Sequence, residues 1–161
     1  MYMSFSVVIN SDNAFFSTSQ RNMNQYLINW DGFPDHKYKM TFDFCSGVSV
    51  LLNSFSSTSR SFCIIAIDGL PSLNYTAGSV QDSQPTTQVG TAILQVQSEQ
   101  TTLDRRGILF CSPSDNPPLY LPYKPSSNII TVRLFSTDGT QLHDRLNFVR
   151  YVLRLHFTPI D

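Results

Sequence analysis

The sequence predicts an all-β protein, a single antiparallel β-sandwich of jelly-roll type with about eight strands. Three observations carry that prediction. Apolar and polar residues alternate with a period of two through several long stretches. Turn chemistry recurs between them, at Asp31-Gly32, Asp68-Gly69, Pro117-Pro118 and Asp138-Gly139. The residues that build surface helices are scarce: among 161 residues there is one glutamate, Glu99, and only three lysines, Lys37, Lys39 and Lys124. Their place is taken by 21 Ser, 13 Thr, 10 Asn and 9 Gln, so that charged residues fall to 14% against the ~25% usual for globular chains.

Taken in order, the first expected strand is Phe5–Asn10, a short apolar run. Gln20 to Trp30 reads equally as a short helix, an irregular arm or a strand, because Asn22, Asn24 and Asn29 weaken a helix there. Residues 37–44 are the clearest strand: Tyr38, Met40, Phe42 and Phe44 share one face, and Lys37, Lys39, Thr41 and Asp43 the other. Val48–Asn53, Ser61–Ile67, Val89–Gln97, Arg106–Cys111 and Leu119–Tyr123 are weaker strand candidates. Asn128–Phe135 places Ile130, Val132 and Leu134 inward. Phe148–Phe157 turns Val149, Tyr151, Leu153, Leu155 and Phe157 in, and Arg150, Arg154 and His156 out. Asn53–Arg60 and Thr76–Gln88, rich in Ser, Thr and Gln, read as exposed loops. No second composition regime and no linker divides the chain, so 1–161 is read as one domain, with 1–35 an N-terminal arm plus the first strand.

Charge and motif content narrow the function. A net charge of −1 and a pI near 6.2 supply no basic field for direct nucleic-acid contact. No apolar run reaches the ~18 residues of a membrane span, and the first ten residues lack the basic start of a signal peptide. Cys45, Cys63 and Cys111 are an odd set without metal-ligand spacing and read as buried thiols of a reducing compartment. The sequon at Asn74-Tyr75-Thr76 carries little weight without a secretory signal. There is no nucleophile elbow, no Gly-rich phosphate loop, and no metal spacing among His36, His143 and His156. Asp35-His36-Lys37 reads as a solvated turn. The expectation is therefore a protein that is not an enzyme and that holds no cofactor and no metal.

Two features remain. Arg150, Arg154 and His156 share the outward face of the last strand, with Arg133 expected beside them on a neighbouring strand. That face reads either as solvated sheet surface or as a docking face whose guanidinium groups pair with another subunit. The aromatic residues exceed what one small core needs, and Phe15, Phe16, Tyr26 and Trp30 are read as arm or subunit-interface residues.

A resemblance attaches to the C-terminal third. Asn116-Pro117-Pro118-Leu119-Tyr120-Leu121, Pro125 to Leu134 with its Asn128-Ile-Ile-Thr-Val-Arg-Leu core, Thr137-Asp138-Gly139, and Tyr151 to Ile160 form an ordered series. It resembles the closing half of the small single-jelly-roll structural proteins of large eukaryotic double-stranded DNA viruses. Asn29-Trp30 followed by Lys37 to Phe42 fits the same group. The resemblance implies a minor capsid, vertex or spike protein made in the host cytoplasm and carried in the virion. Its implied partners are the major capsid protein, neighbouring minor capsid proteins and further copies of itself, as a trimer or a pentamer. The alternative reading is a lectin-like or receptor-binding jelly-roll head that uses the loops Asn53–Arg60 and Thr76–Gln88.

Overall fold

A computed structural model of the chain describes residues 3–14, 16–18, 23–46, 50–51, 62–70, 74–77, 86–100, 105–136 and 150–161. The strands are β1 (Phe5–Asn10), β2 (Phe16–Thr18), β3 (Met23–Leu27), β4 (Tyr38–Ser46), β5 (Val50–Leu51), β6 (Phe62–Asp68) and β7 (Asn74–Ala77). They continue with β8 (Thr86–Gly90), β9 (Ala92–Gln100), β10 (Arg105–Cys111), β11 (Leu119–Leu121), β12 (Ile129–Ser136) and β13 (Tyr151–Pro159). One 3-10 turn, Ser11–Asn13, follows β1.

Every pairing is antiparallel, and the main sheet runs β1-β13-β4-β10-β9-β6-β12-β3-β2. This is the strand order of a jelly roll: β1-β13-β4-β10 forms one layer, β9-β6-β12-β3 the other, and the β9–β10 hairpin joins them. The layers meet where Tyr26 of β3 bonds Tyr151 of β13, hydroxyl to hydroxyl, at 2.8 Å. Asn24 Nδ2 donates to the same Tyr151 oxygen at 3.1 Å.

The core follows from the alternation. β13 buries Tyr151, Leu153, Leu155 and Phe157, and β4 buries Tyr38, Met40, Phe42 and Phe44, as period two requires. The two strands pair without a break from Tyr38↔Pro159 to Ser46↔Tyr151, so Phe42 stands beside Leu155 and Phe44 beside Leu153. One end is closed by rings: Phe5 stacks between Phe33, at 4.2 Å, and Phe157, at 4.9 Å, and Trp30 meets Phe157 edge-on at 5.6 Å.

One open reading is decided, in favour of a strand, and several expectations change. Residues 23–27 are strand β3, held between β2 and β12, because the ladder to β12 satisfies a backbone that three asparagines make a poor helix. Trp30 is 2% exposed with its indole N–H donated to the Ser127 carbonyl, and Tyr26 is 4% exposed. Neither ring can reach a partner, so both are core residues and not interface residues; a Tyr or Trp in the interior finds one polar acceptor and buries the rest. β2 and β3 belong to the sheet and do not project as an arm. Both ends of the expected loop Thr76–Gln88 lie in the β7–β8 hairpin. The loop Asn53–Arg60 and residues 78–85 lie outside the described residues.

Gly90 marks a close approach between β8 and β6. Thr91 N–H donates to the Ile65 carbonyl at 2.8 Å, and Ile67 N–H donates back to the Thr91 hydroxyl at 3.0 Å. A β-carbon at Gly90 would stand 2.8 Å from the Ile65 oxygen and would collide with the Ile64 side chain. Gly90→Ala is expected to destabilise the fold by about 1–3 kcal/mol in a urea melt, and an unchanged midpoint would contradict this packing.

Burial pushes the Cys111 thiol up to about 12, helped by the Asp115 carboxylate. It also raises the Tyr26 and Tyr151 phenols above their ordinary value of 10. Each is an acid with a raised folded-state pKa, so its contribution is complete below the unfolded value and is lost as pH rises beyond it. Stability is expected to fall from pH 9 upward, by about 1 kcal/mol at pH 10 from the thiol alone. Urea midpoints at pH 8 and pH 10, compared with those of Cys111→Ala, check this; an equal drop in the variant removes the thiol from the account.

Candidate functional site

The outer face of β1, β13 and β4 carries the polar residues singled out on the last strand. β13 is the middle of the three strands, and the odd–even rule turns Val152, Arg154, His156 and Thr158 outward from it, with exposed Arg150 just before its first residue. Val8 of β1 and Asp43 of β4 stand directly beside Arg154; Ser6 and Thr41 stand beside His156. Cross-strand neighbours on one face lie close enough for side chains to meet.

These groups are paired within the molecule. Arg154 Nε lies 3.3 Å from Asp43 Oδ2, His156 Nε2 lies 2.9 Å from the same oxygen, and Arg150 Nε lies 3.6 Å from Asp12 Oδ1. Asp43 is thus the hub of the face, one carboxylate shared by two β13 side chains. The face that the sequence leaves open between solvated surface and docking face is charge-compensated at its arginines, because β4 and the turn after β1 supply an acid opposite each. Only pairing of strands distant in sequence could reveal this, although Asp43 already stood on the polar side of its strand.

His156 also bonds Ser6 Oγ through Nδ1 at 2.8 Å. A carboxylate only accepts, so Nε2 carries the proton given to Asp43, and in the neutral ring Nδ1 accepts the serine O–H. The result is a relay, Ser6 to His156 to Asp43, across three adjacent strands. It has the partners of a hydrolytic triad but lies on an open sheet face. Backbone N–H groups of strands lie in the plane of the sheet, so those of β1, β13 and β4 do not converge above Ser6. The relay ties three adjacent strands together through their side chains.

The other expected members lie elsewhere. Arg133 is on β12, flanked by β6 and β3 in the opposite layer, and forms an ion pair with Asp68 on β6. It is not beside β13; in this strand order four strands separate them. Phe15 lies outside the described residues, and Phe16 is placed only as the first residue of β2 opposite Gln25.

One cleft of about 550 Å³ is lined by Asp35, Leu70, Leu121, Tyr123, Lys124 and Ser126 among others. Lys124 donates from its ammonium to the Trp30 and Phe33 carbonyls, which ties the cleft wall to the core. Among the described residues, no group of three His, Cys, Asp or Glu side chains could hold a metal ion, and no helix is long and apolar enough to cross a membrane. The fold and the face together define a jelly-roll sandwich with a charge-paired outer surface. No family model matches the chain, and no curated protein matches it.

Asp43→Ala removes the partner of both Arg154 and His156. Because Arg154 is half exposed, the expected loss is about 0.5–1 kcal/mol, read from a thermal melt. Of the three thiols, Cys45 is exposed whereas Cys63 and Cys111 are buried. A chromogenic disulfide reagent is expected to titrate one thiol rapidly in the folded protein and three after unfolding; two or more fast thiols would contradict the packing.

Proposed function

We propose that this chain is a structural subunit of a viral shell, a minor capsid, vertex or spike protein that works by self-association and by docking to the major capsid protein. The observation that carries this reading is where the resemblance falls. The segments Leu119–Leu121, Ile129–Ser136 and Tyr151–Pro159 are β11, β12 and β13 of a jelly-roll order, a sandwich used repeatedly for capsid subunits. Fold by itself does not settle function, so the face must supply the rest.

The surface chemistry favours contact with protein. Arg150, Arg154 and Asp43 already have opposite charges beside them, so covering them strands no lone charge. Val8, 61% exposed, and Val152, 41% exposed, place apolar surface among them. Ser6, Thr41 and Thr158 add hydrogen-bonding groups without net charge. A partner layer that offers an acceptor to Lys39, exposed on β4 beside Thr158, could therefore bury this face at modest desolvation cost. The shell reading places the protein in the virion and assigns it neither a catalytic group nor a cofactor.

A second reading, a lectin-like or receptor-binding head, is favoured by the cleft. Exposed Tyr123 offers a flat ring for a sugar, and Asp35 and Ser126 offer an acceptor and a donor beside it.

The first test is native mass by light scattering under reducing conditions. A mass near three or five times 18.2 kDa supports the shell reading and separates a trimer from a pentamer. Arg150→Ala with Arg154→Ala is expected to abolish assembly while destabilising the isolated protein by no more than about 1 kcal/mol, as for other half-exposed ion pairs. Retained assembly removes this face from the reading. Binding on a glycan array, lost in Tyr123→Ala, would favour the head.

A further inference from the structure

We infer that the free edge of β1 is a self-pairing edge, by which two copies join their sheets about a two-fold axis through Val7. The inference deepens the shell reading by naming an edge, a partner and a register, and it rests on the chemistry of one strand.

The main sheet ends in β1 on one side and β2 on the other. Sheet edges expose unpaired backbone N–H and C=O groups, and folded proteins protect them with short strands, lysine, proline or bulges. β2 has the first protection, being three residues long. β1 has none. It is six residues, Phe-Ser-Val-Val-Ile-Asn, without charge, proline or glycine. Its register with β13 runs unbroken from Phe5↔Phe157 to Asn10↔Val152, so no bulge bends it away. Among the described residues, no strand occupies its other side.

A second copy fits this edge better than an arbitrary strand does. In an antiparallel pair centred on Val7, residue numbers opposite one another sum to fourteen: Val7 meets Val7, Phe5 meets Ile9, and Ser6 meets Val8. Because both members of each pair are odd or both even, inward residues meet inward residues, and the two cores become continuous. Phe5 and Val7 are only half buried in one copy and would be covered in the pair. Charge does not oppose the approach. β1 brings none, and Arg154, on the next strand in, is held by Asp43 at 3.3 Å. The joined layer would read β10-β4-β13-β1 followed by β1-β13-β4-β10 of the second copy.

The register gives a test that exposed side chains can report. Two variants are made in a Cys45→Ser background, Ser6→Cys and Val8→Cys, and each is oxidised with copper-phenanthroline alone and as a mixture. The mixture is expected to form a disulfide-linked species of twice 18.2 kDa, because Ser6 of one copy opposes Val8 of the other. Neither variant alone should do so. Val8→Lys, which adds the missing edge charge at an exposed position, is expected to lower the native mass of the otherwise unaltered chain. No linked species in the mixture, or equal linking in the single variants, overturns the proposal. A linked pair without larger assemblies supports this edge while counting against the shell reading. Trimers or pentamers that persist in Val8→Lys without mixed linking do the reverse.

Discussion

The nine-residue ladder between β4 and β13 is the constraint on which the rest of this molecule depends. Its register decides which side chains of both strands face the core and which face outward. Side chains alternate with a period of two, so a slip of β13 by one residue against a fixed β4 would turn Leu153 and Leu155 into water and bury Arg154. Burying the large apolar side chains of β13 makes that slip prohibitively costly. The same register sets Asp43 beside Arg154 and within reach of His156. Core and outer face are thus two consequences of one pairing.

The second constraint acts across the sandwich. β13 touches β1 and β4 within its layer and reaches the other layer through Tyr151. A hydroxyl pair between Tyr151 and Tyr26, with Asn24 donating to it, places polar atoms in an otherwise apolar interior and satisfies them there. Buried polar groups stabilise only when their partners are in place, so this contact specifies how β3 sits over β13. Trp30 has a similar role at the end of the core, its ring against Phe157 and its N–H on the Ser127 carbonyl. Asn116 does so at the β9 turn, where its side-chain amide bonds both the N–H and the carbonyl of Ile93, as a neighbouring strand would.

The outer face shows why a count of charges is a weak guide to a binding surface. Two arginines and a histidine on one strand suggest a cationic patch, yet each has an acid supplied by a different segment. What remains is a surface whose arginines are charge-paired, with apolar residues among the ions and exposed Lys39 of β4 beside Thr158. Such a surface loses little on being covered by another protein that offers Lys39 an acceptor.

Much of the architecture was legible in the sequence because a half-buried strand writes its burial into every second residue. Residues 37–44, 128–135 and 148–157 carry that alternation, and β4, β12 and β13 lie there within one to three residues at each end. The short strands β2 and β7 were not legible, since three or four residues cannot display a period and their structure comes from the neighbour they pair with. The region before Trp30 was ambiguous for the same reason: propensity was weak, and the ladder to β12 decided it. Aromatic residues in a polar stretch look alike whether a core or a partner covers them, so Tyr26 and Trp30 fit an arm or an interface in the sequence and only burial places them in the core. The sequence by itself determined an all-β sandwich and the outward placement of Arg150, Arg154 and His156, because alternation is a local property of the chain. Only the tertiary structure decided that Asp43 joins Arg154 to His156, that Arg133 lies in the opposite layer, and that β1 borders the sheet, because strand order brings together residues more than one hundred positions apart.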